Sequence, residues 1–296
     1  MIRRPPRSTL SPSSAASDVY KRQGYALALN AGAELVDMEF QIFSISPRQL
    51  CQIFSDNLDE EKVLFGTAIA HYTCGGVKID PWGRTNLKGL YAAGEVAGGV
   101  FGSARLGGSA VADIITFGYR AGLRAAEEAN TIKHIVKVPE QVEEEVRRIQ
   151  GLLRGGRLAP QNVKNKLRSL MWRKAGPIRD ERRLRNALNE VKEIREELED
   201  LKATDFIELR EALEVNFMSE VAEAMILSAL TRKESRGSHW RIDYPRPDRT
   251  WIKNVFIFKG KDDEISVNVR DVDLKRAKPK APFKIGERHT WCYIIM

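Results

Sequence analysis

The run Gly89-Leu-Tyr-Ala-Ala-Gly-Glu95, followed by Arg105-Leu-Gly-Gly-Ser109, constrains this chain more than any other feature. Leu90 to Ala93 reads as a short buried strand. Gly94 to Gly108 is glycine-rich, and a helical pattern resumes near Ser109 and runs toward Asn130. A strand, a glycine loop and a helix N-terminus together place backbone N–H groups against an anion or an electron-rich ring. Just upstream, His71-Tyr-Thr-Cys-Gly-Gly76 carries an apolar run into a tight turn, after which Val77 and Ile79 alternate as in a short strand. Both short strands are expected to need partner strands from a half of the domain upstream of Gly24, and so to leave exposed, aggregation-prone sheet edges.

The flanks differ in texture. Gly24 to Phe43 reads as an Ala/Leu helix stopped at Gly32, then an extended Glu34–Phe43. From Pro139 onward, Glu140–Leu153, Val163–Ala175, Arg179–Leu201 and Phe206–Arg232 read as helices. The third is clearest, because Leu184, Leu188, Val191, Ile194, Leu198 and Leu201 step by three or four. Short connections make these an antiparallel bundle, with Gly176-Pro177 ending one helix and Arg179 or Asp180 opening the next. Beyond Thr231 a charged, proline-bearing loop leads to strand-like Val255–Phe258 and Ile265–Val269. The fold class is therefore α/β, a partial Rossmann-like domain, followed by an α-helical bundle and a C-terminal tail with short strands. The segments are 24–130, 131–234 and 235–296.

Composition removes several classes of function. No run approaches the roughly 20 apolar residues of a membrane span. Cys51, Cys74 and Cys292 form no Cys-x-x-Cys pair, which argues against a zinc site or a disulfide framework and fits a reducing cytoplasm. The net charge is +8, but residues 1–23 hold Arg3, Arg4, Arg7, Lys21 and Arg22 against Asp18, half of that total. The basic stretch Arg147–Arg185 has only Trp172 as an aromatic, so no nucleic-acid partner is expected. Residues 1–23 are rich in Arg, Ser and Pro and lack the apolar core of a secretory signal. They are expected to be a non-native leader, resembling the translation of an adaptor joined to a gene at about Gly24.

Four blocks, HYTCGG, GLYAAGEVAGGVFGSARLGGSA, MWRKAGPIRDERRLRNAL and ESRGSHWRIDYP, resemble the flavoprotein subunit of succinate dehydrogenase and fumarate reductase, with L-aspartate oxidase as the nearest relative. They occur in the family's order. The resemblance implies FAD, a small dicarboxylate substrate and hydride transfer between substrate and flavin. It also implies an iron–sulfur partner and a cytoplasmic place, peripheral at the inner face of the membrane through that partner. The family's Gly-x-Gly-x-x-Gly loop has no counterpart in this chain.

Carried over residue by residue, the resemblance makes Gly75, Gly76, Gly94, Glu95, Ser109, Ala110 and Val111 the cofactor-binding set. Glu95 would accept hydrogen bonds from ribityl hydroxyls, since a hydroxyl-rich ligand is a sensible partner for a buried carboxylate. The amides of Ala110 and Val111 would face the flavin pyrimidine edge, where reduced flavin gathers negative charge. Ser109 doubles as an ordinary N-cap candidate. Arg105 matches the arginine that clamps a substrate carboxylate, a two-pronged contact that lysine cannot make. His71 matches the histidine that hydrogen-bonds the dicarboxylate. Cys74 reads as a small buried hydrophobe, and Arg236 and His239 as supporting residues.

Three departures limit the carry-over. The family's His-Gly-Ala-Asn-Arg is Phe101-Gly-Ser-Ala-Arg105 here. Its Gln-Phe-His-Pro-Thr, which follows Asp-x-Glu-Phe, is replaced after Phe40 by Gln41-Ile-Phe-Ser-Ile45, without that histidine. Only Ser44 to Ala70 stands where the family inserts a capping domain bearing its proton-shuttling arginine. Arg48 is not assigned that role, and the catalytic acid is left unassigned. A non-catalytic paralogue whose bundle binds another subunit is the alternative reading.

Overall fold

The computed structural model describes residues 19–46, 67–133, 138–260, 262 and 264–274. Arg48, Cys51, Cys292 and the Lys- and Pro-rich end of the chain lie outside the described residues, as do residues 1–18.

Helix α1, Val19–Asn30, leads through Gly32 at φ 93° into β1, Leu35–Val36. The helix starts five residues before Gly24 and continues across it. β2, Gln41–Ser46, pairs antiparallel with β3, Thr67–Thr73, as a separate two-stranded ribbon. β4, Gly76–Lys78, and β5, Ala97–Gly98, belong to a five-stranded sheet with β6, Lys253–Lys259, and β7, Ile265–Asp271. Its order is β5-β4-β1-β6-β7. β4 therefore has neighbours on both sides, antiparallel β1 and parallel β5. The expectation that Val77–Ile79 needs a partner strand from elsewhere is corrected: β1 and β5 of this chain supply both neighbours, because the glycine turns fold them alongside.

The expected strand at Leu90–Ala93 is a single bridge between Arg84 and Tyr91, followed by a 3-10 turn at Gly94–Val96. The physical reason is local. Asp80 accepts from the backbone N–H of Trp82 and Arg84, and Gly83 and Gly89 adopt φ 76° and 81°, so the chain reverses before a ladder extends.

Glycine is required where β4 and β5 meet. A Cβ on Gly76 would lie 2.4 Å from the Val96 carbonyl oxygen, and one on Gly98 would lie 2.4 Å from the Gly76 nitrogen. A Cβ on Gly75 would meet the Asp37 carbonyl oxygen at 2.1 Å. Gly75 and Gly76 thus allow three pieces of backbone to converge beside the glycine loop.

α2, Ser109–Ala129, follows that loop. The bundle is α3, Pro139–Arg154; α4, Pro160–Ala175; α5, Glu181–Glu197; and α6, Phe206–Thr231. Asp180 caps α5 by accepting from the Arg183 N–H, and Asp205 caps α6 through Ile207 and Glu208. Leu184, Ala187, Val191 and Ile194 face inward from α5. They join Leu167 and Met171 of α4, Val215 and Ile226 of α6, Leu29 of α1, Leu35 of β1 and Ile257 of β6 in one core. This core runs through the segments expected at 24–130, 131–234 and 235–296. No described helix is long and apolar enough to cross a membrane.

Candidate functional site

A second, smaller cluster sits at the loop. Phe40, Tyr72 and Cys74 are buried together, with Ile42, Phe101 and Ala110 packed against them. β2 and β3 supply one wall, the glycine loop another, and the first turn of α2 the third. Burial pushes the Cys74 thiol up to about 12, and neighbouring Arg105 opposes that rise only partly. Cys74 is therefore an inert packing group at neutral pH, as its sequence context suggests.

Tyr72 is the platform. Its ring meets Phe101 edge-on at 5.9 Å, and the Arg105 guanidinium lies 4.1 Å from its centroid. The two residues expected to bind substrate come together here: Arg105 Nη2 donates to His71 Nε2 at 3.2 Å. Arginine has no acceptor, so His71 accepts at Nε2 and its ring proton is on Nδ1. His71 is exposed and Tyr72 buried, which sets the polar pair at the rim of the cluster.

The expected cofactor residues converge on the same rim. Gly94 has φ 78°, and its 3-10 turn brings Glu95 against β3, where the Glu95 carboxylate accepts from the Thr73 N–H at 3.2 Å. The Glu95 carbonyl accepts from the Tyr25 hydroxyl at 2.8 Å, so α1 fixes this turn. At α2 the N-cap is Gly108, at φ 80°, rather than Ser109. Ser109 is the first helical residue, and its hydroxyl donates to the Leu106 carbonyl at 2.6 Å. The reason is conformational: the left-handed turn into the helix favours glycine.

The Ser109 N–H is bonded to Leu106 O at 3.3 Å and the Val111 N–H to Gly108 O at 3.2 Å. The Ala110 N–H has no acceptor among the described residues. Of the two amides expected to face a flavin, Ala110 is thus the donor left over, whereas Val111 is engaged by its own turn. A Cβ at Gly107 or Gly108 would meet nothing within 4 Å, so the loop is open on that side. An orphan helix N-terminal donor, a carboxylate at a fixed turn and an open glycine loop fit an electron-rich, hydroxyl-bearing cofactor.

The ESRGSHWR segment supports the loop from behind. Ser238 donates to the Ser103 carbonyl from its N–H at 3.0 Å and its hydroxyl at 3.1 Å. Gly237, at φ 55°, permits this approach, since a Cβ there would lie 2.2 Å from Ser103 O. His239 is fully buried and its Nδ1 receives the Arg179 guanidinium at 2.8 Å. Burial, then the positive charges of Arg179 and Arg232, holds this imidazole well below the usual range. Arg179 also donates to the Glu39 carbonyl at 2.7 Å. Arg232 ties Glu39 at 2.5 Å, Glu234 at 3.1 Å and Asp37 at 3.4 Å. Arg236 pairs with Glu234 at 2.7 Å.

Sequence reasoning missed Tyr72 and Asp113. Asp113 is the one charged residue from Val111 to Phe117, and an isolated acid in such a run is the signal that could have found it. It is 5% exposed, and neither of its carboxylate oxygens has a hydrogen-bond partner among the described residues.

Residues 164–289 match a family model described as the C-terminal part of the fumarate reductase flavoprotein, and residues 60–111 match an FAD-binding domain. The chain is 41% identical over 194 residues to one subunit of the CoM/CoB fumarate reductase of Methanothermobacter marburgensis, covering 64% of this chain and 35% of that one. It is 34% identical over 177 residues to the L-aspartate oxidase of Yersinia pestis, covering 60% and 32%. The solved E. coli quinol fumarate reductase superposes with a TM-score of 0.79 at 20% identity, over 92% of this chain and 65% of that one, a likeness of fold. The chain spans about a third of the length of these curated relatives. On these matches and on the four motif blocks, the chain belongs to the flavoprotein family of succinate dehydrogenases and fumarate reductases.

Proposed function

We propose that the protein is an FAD-dependent oxidoreductase, the flavoprotein subunit of an enzyme interconverting succinate and fumarate or a similar small dicarboxylate. The observation that carries this reading is the Arg105–His71 pair at the rim of the glycine loop, 3.2 Å apart, with Ala110 of the α2 N-terminus packed on the same Tyr72 cluster. Gly75, Gly76, Gly94, Glu95, Ser109, Ala110 and Val111 would hold the cofactor: the glycines by letting backbone close up, Glu95 by accepting from hydroxyls, and the helix N-terminus through its amides. Of Ser109, Ala110 and Val111, Ala110 has the donor left over. FAD, when bound, supplies the two-electron exchange at its ring.

Arg105 and His71 do the chain's own part. A guanidinium binds a carboxylate with two parallel N–H bonds, and the His71 imidazole stands beside it at 3.2 Å. Together they would fix the orientation of a dicarboxylate and of its two central carbons. Oxidation of succinate removes a hydride from one of these carbons and a proton from the other, and reduction of fumarate returns both. Holding the substrate still contributes by proximity and orientation. An iron–sulfur subunit is the partner this reading implies, with peripheral association at the cytoplasmic face of the membrane through it. The second reading, an L-aspartate oxidase-like enzyme, is favoured by that relative's 34% identity.

Fumarate-dependent reoxidation of a reduced viologen dye tests the proposal. Activity should fall on the order of a hundredfold in Arg105→Gln, since two charge-assisted hydrogen bonds are lost. Turnover with L-aspartate and not with fumarate would favour the second reading. No turnover with any dicarboxylate, with FAD bound, would favour the non-catalytic one.

A further inference from the structure

We propose that Ser238 is a positioning residue for Arg105: it holds the Ser103 carbonyl of the glycine loop and so fixes where the guanidinium stands. The inference rests on the reading of Arg105 as a carboxylate clamp.

Ser238 sits at the tip of a tight hairpin. The Arg236 N–H donates to His239 O and the His239 N–H to Arg236 O, both at 2.9 Å. Gly237 makes the reversal between them at φ 55°. Both arms are tied to buried groups. Arg236 reaches the two oxygens of Glu234 at 2.7 and 3.0 Å and the Asp248 carbonyl at 2.9 Å. Glu234 and His239 are fully buried, and His239 Nδ1 receives the Arg179 guanidinium at 2.8 Å. The tip therefore projects from a fixed base.

The loop it meets is the opposite case. Gly99, Gly102 and Gly108 carry positive φ, and a Cβ at Gly102, Gly107 or Gly108 would meet nothing within 4 Å. Glycine backbone without packing on these sides has much conformational freedom to lose. On one side of Ala104, the Ser103 carbonyl accepts from the Ser238 N–H at 3.0 Å and from its hydroxyl at 3.1 Å. On the other, the Arg105 guanidinium rests on Tyr72 at 4.1 Å and meets His71 at 3.2 Å. Two donors from one residue engage both lone pairs of the carbonyl, which restrains the direction of the peptide as well as its place. Ser103 and Arg105 are at most about 7 Å apart along the chain, so a turn of the Ser103 peptide carries to the Arg105 backbone. A displacement of about 1 Å is enough to spoil a positioned contact.

The test uses the full chain labelled with 15N-arginine. The Arg105 Nε–H resonance, identified by its absence in Arg105→Gln, should be shifted by the Tyr72 ring beneath it. Ser238→Ala loses the hydroxyl and keeps the N–H, and should move this resonance toward that of an unstacked arginine. Ser238→Thr keeps a hydroxyl and should leave it in place. An unmoved resonance in Ser238→Ala would overturn the proposal, whatever the ligand. Loaded with FAD, Ser238→Ala should bind fumarate about fivefold more weakly, the size expected from one net hydrogen bond, and Ser238→Thr should recover most of the loss. In the Arg105→Gln background Ser238→Ala should weaken fumarate no further, because the two residues act through one contact. The same loss in both backgrounds would overturn positioning, since it would show Ser238 supporting the loop without acting on Arg105. If the resonance responds and the wild-type chain binds no dicarboxylate, the positioning of Arg105 stands and the clamp reading fails.

Discussion

The guanidinium of Arg105 lies 4.1 Å from the centroid of the Tyr72 ring, and the same group reaches His71 at 3.2 Å. One buried aromatic thus supports the cation, and one exposed imidazole engages it. The clamp is built by adjacent residues of β3 acting on the far side of the glycine loop.

This relationship predicts that the ring face matters and the hydroxyl does not. Tyr72→Leu should weaken fumarate binding about fivefold, since a partly desolvated cation–π contact contributes about 1 kcal/mol. Tyr72→Phe should stay within twofold of wild type. Equilibrium titration of both variants checks this; equal losses would mean that the hydroxyl carries the effect.

Gly237 should tolerate no side chain. Gly237→Ala forces a Cβ against Ser103 O and holds an L-residue at φ 55°. The expected cost is about 1–3 kcal/mol. Gly107→Ala, with open space around its Cβ, should change stability by less than about 0.5 kcal/mol. Chemical denaturation of the two variants gives the comparison, and a neutral Gly237→Ala would show that the ESRGSHWR segment does not press on the loop.

Lys164 and Glu214 form a buried pair between α4 and α6 at 2.7 Å. Lys164→Met leaves the buried Glu214 carboxylate with only the half-exposed Arg210, 3.4 Å away, and should cost about 2–3 kcal/mol. Replacing both, as Lys164→Met with Glu214→Leu, should recover most of that loss. A double variant as unstable as the single one would mean that packing, not the under-paired carboxylate, sets the cost.

Glu39 predicts a pH dependence with a definite sign. Burial raises its carboxyl from 4.5 to about 7, against the pull of Arg232. The folded state therefore holds the proton more tightly than the unfolded chain. This contribution is fully present below about pH 4.5 and is lost as pH rises through about 7. Glu39→Gln cannot titrate, so its stability should fall less steeply than wild type over that window. Urea midpoints at pH 5, 6, 7 and 8 decide it; parallel curves would place the titration elsewhere.

Much of the bundle was legible because its signals are local. The three-and-four spacing of α5 and the Asp180 cap need no distant partner. Leu90–Ala93 misled because a short apolar run does not distinguish a strand from a reversing chain. The buried arginines were illegible for a different reason. Arg179, Arg232 and Arg241 are 2% exposed or less, yet periodicity treats arginine as solvated. The partners of Arg179 and Arg232 on the 37–39 turn lie 140 to 195 residues away. At the site, motif blocks located His71 and Arg105, but not what lies beneath them. Tyr72 matters through contacts that only the fold creates.

The central claim is that Arg105 and His71 form a dicarboxylate site beside a flavin. Fumarate should be titrated into the FAD-loaded chain while the flavin absorbance spectrum is followed. A saturable spectral change that is lost in Arg105→Gln is the predicted result. No change, or the same change in Arg105→Gln, would contradict it.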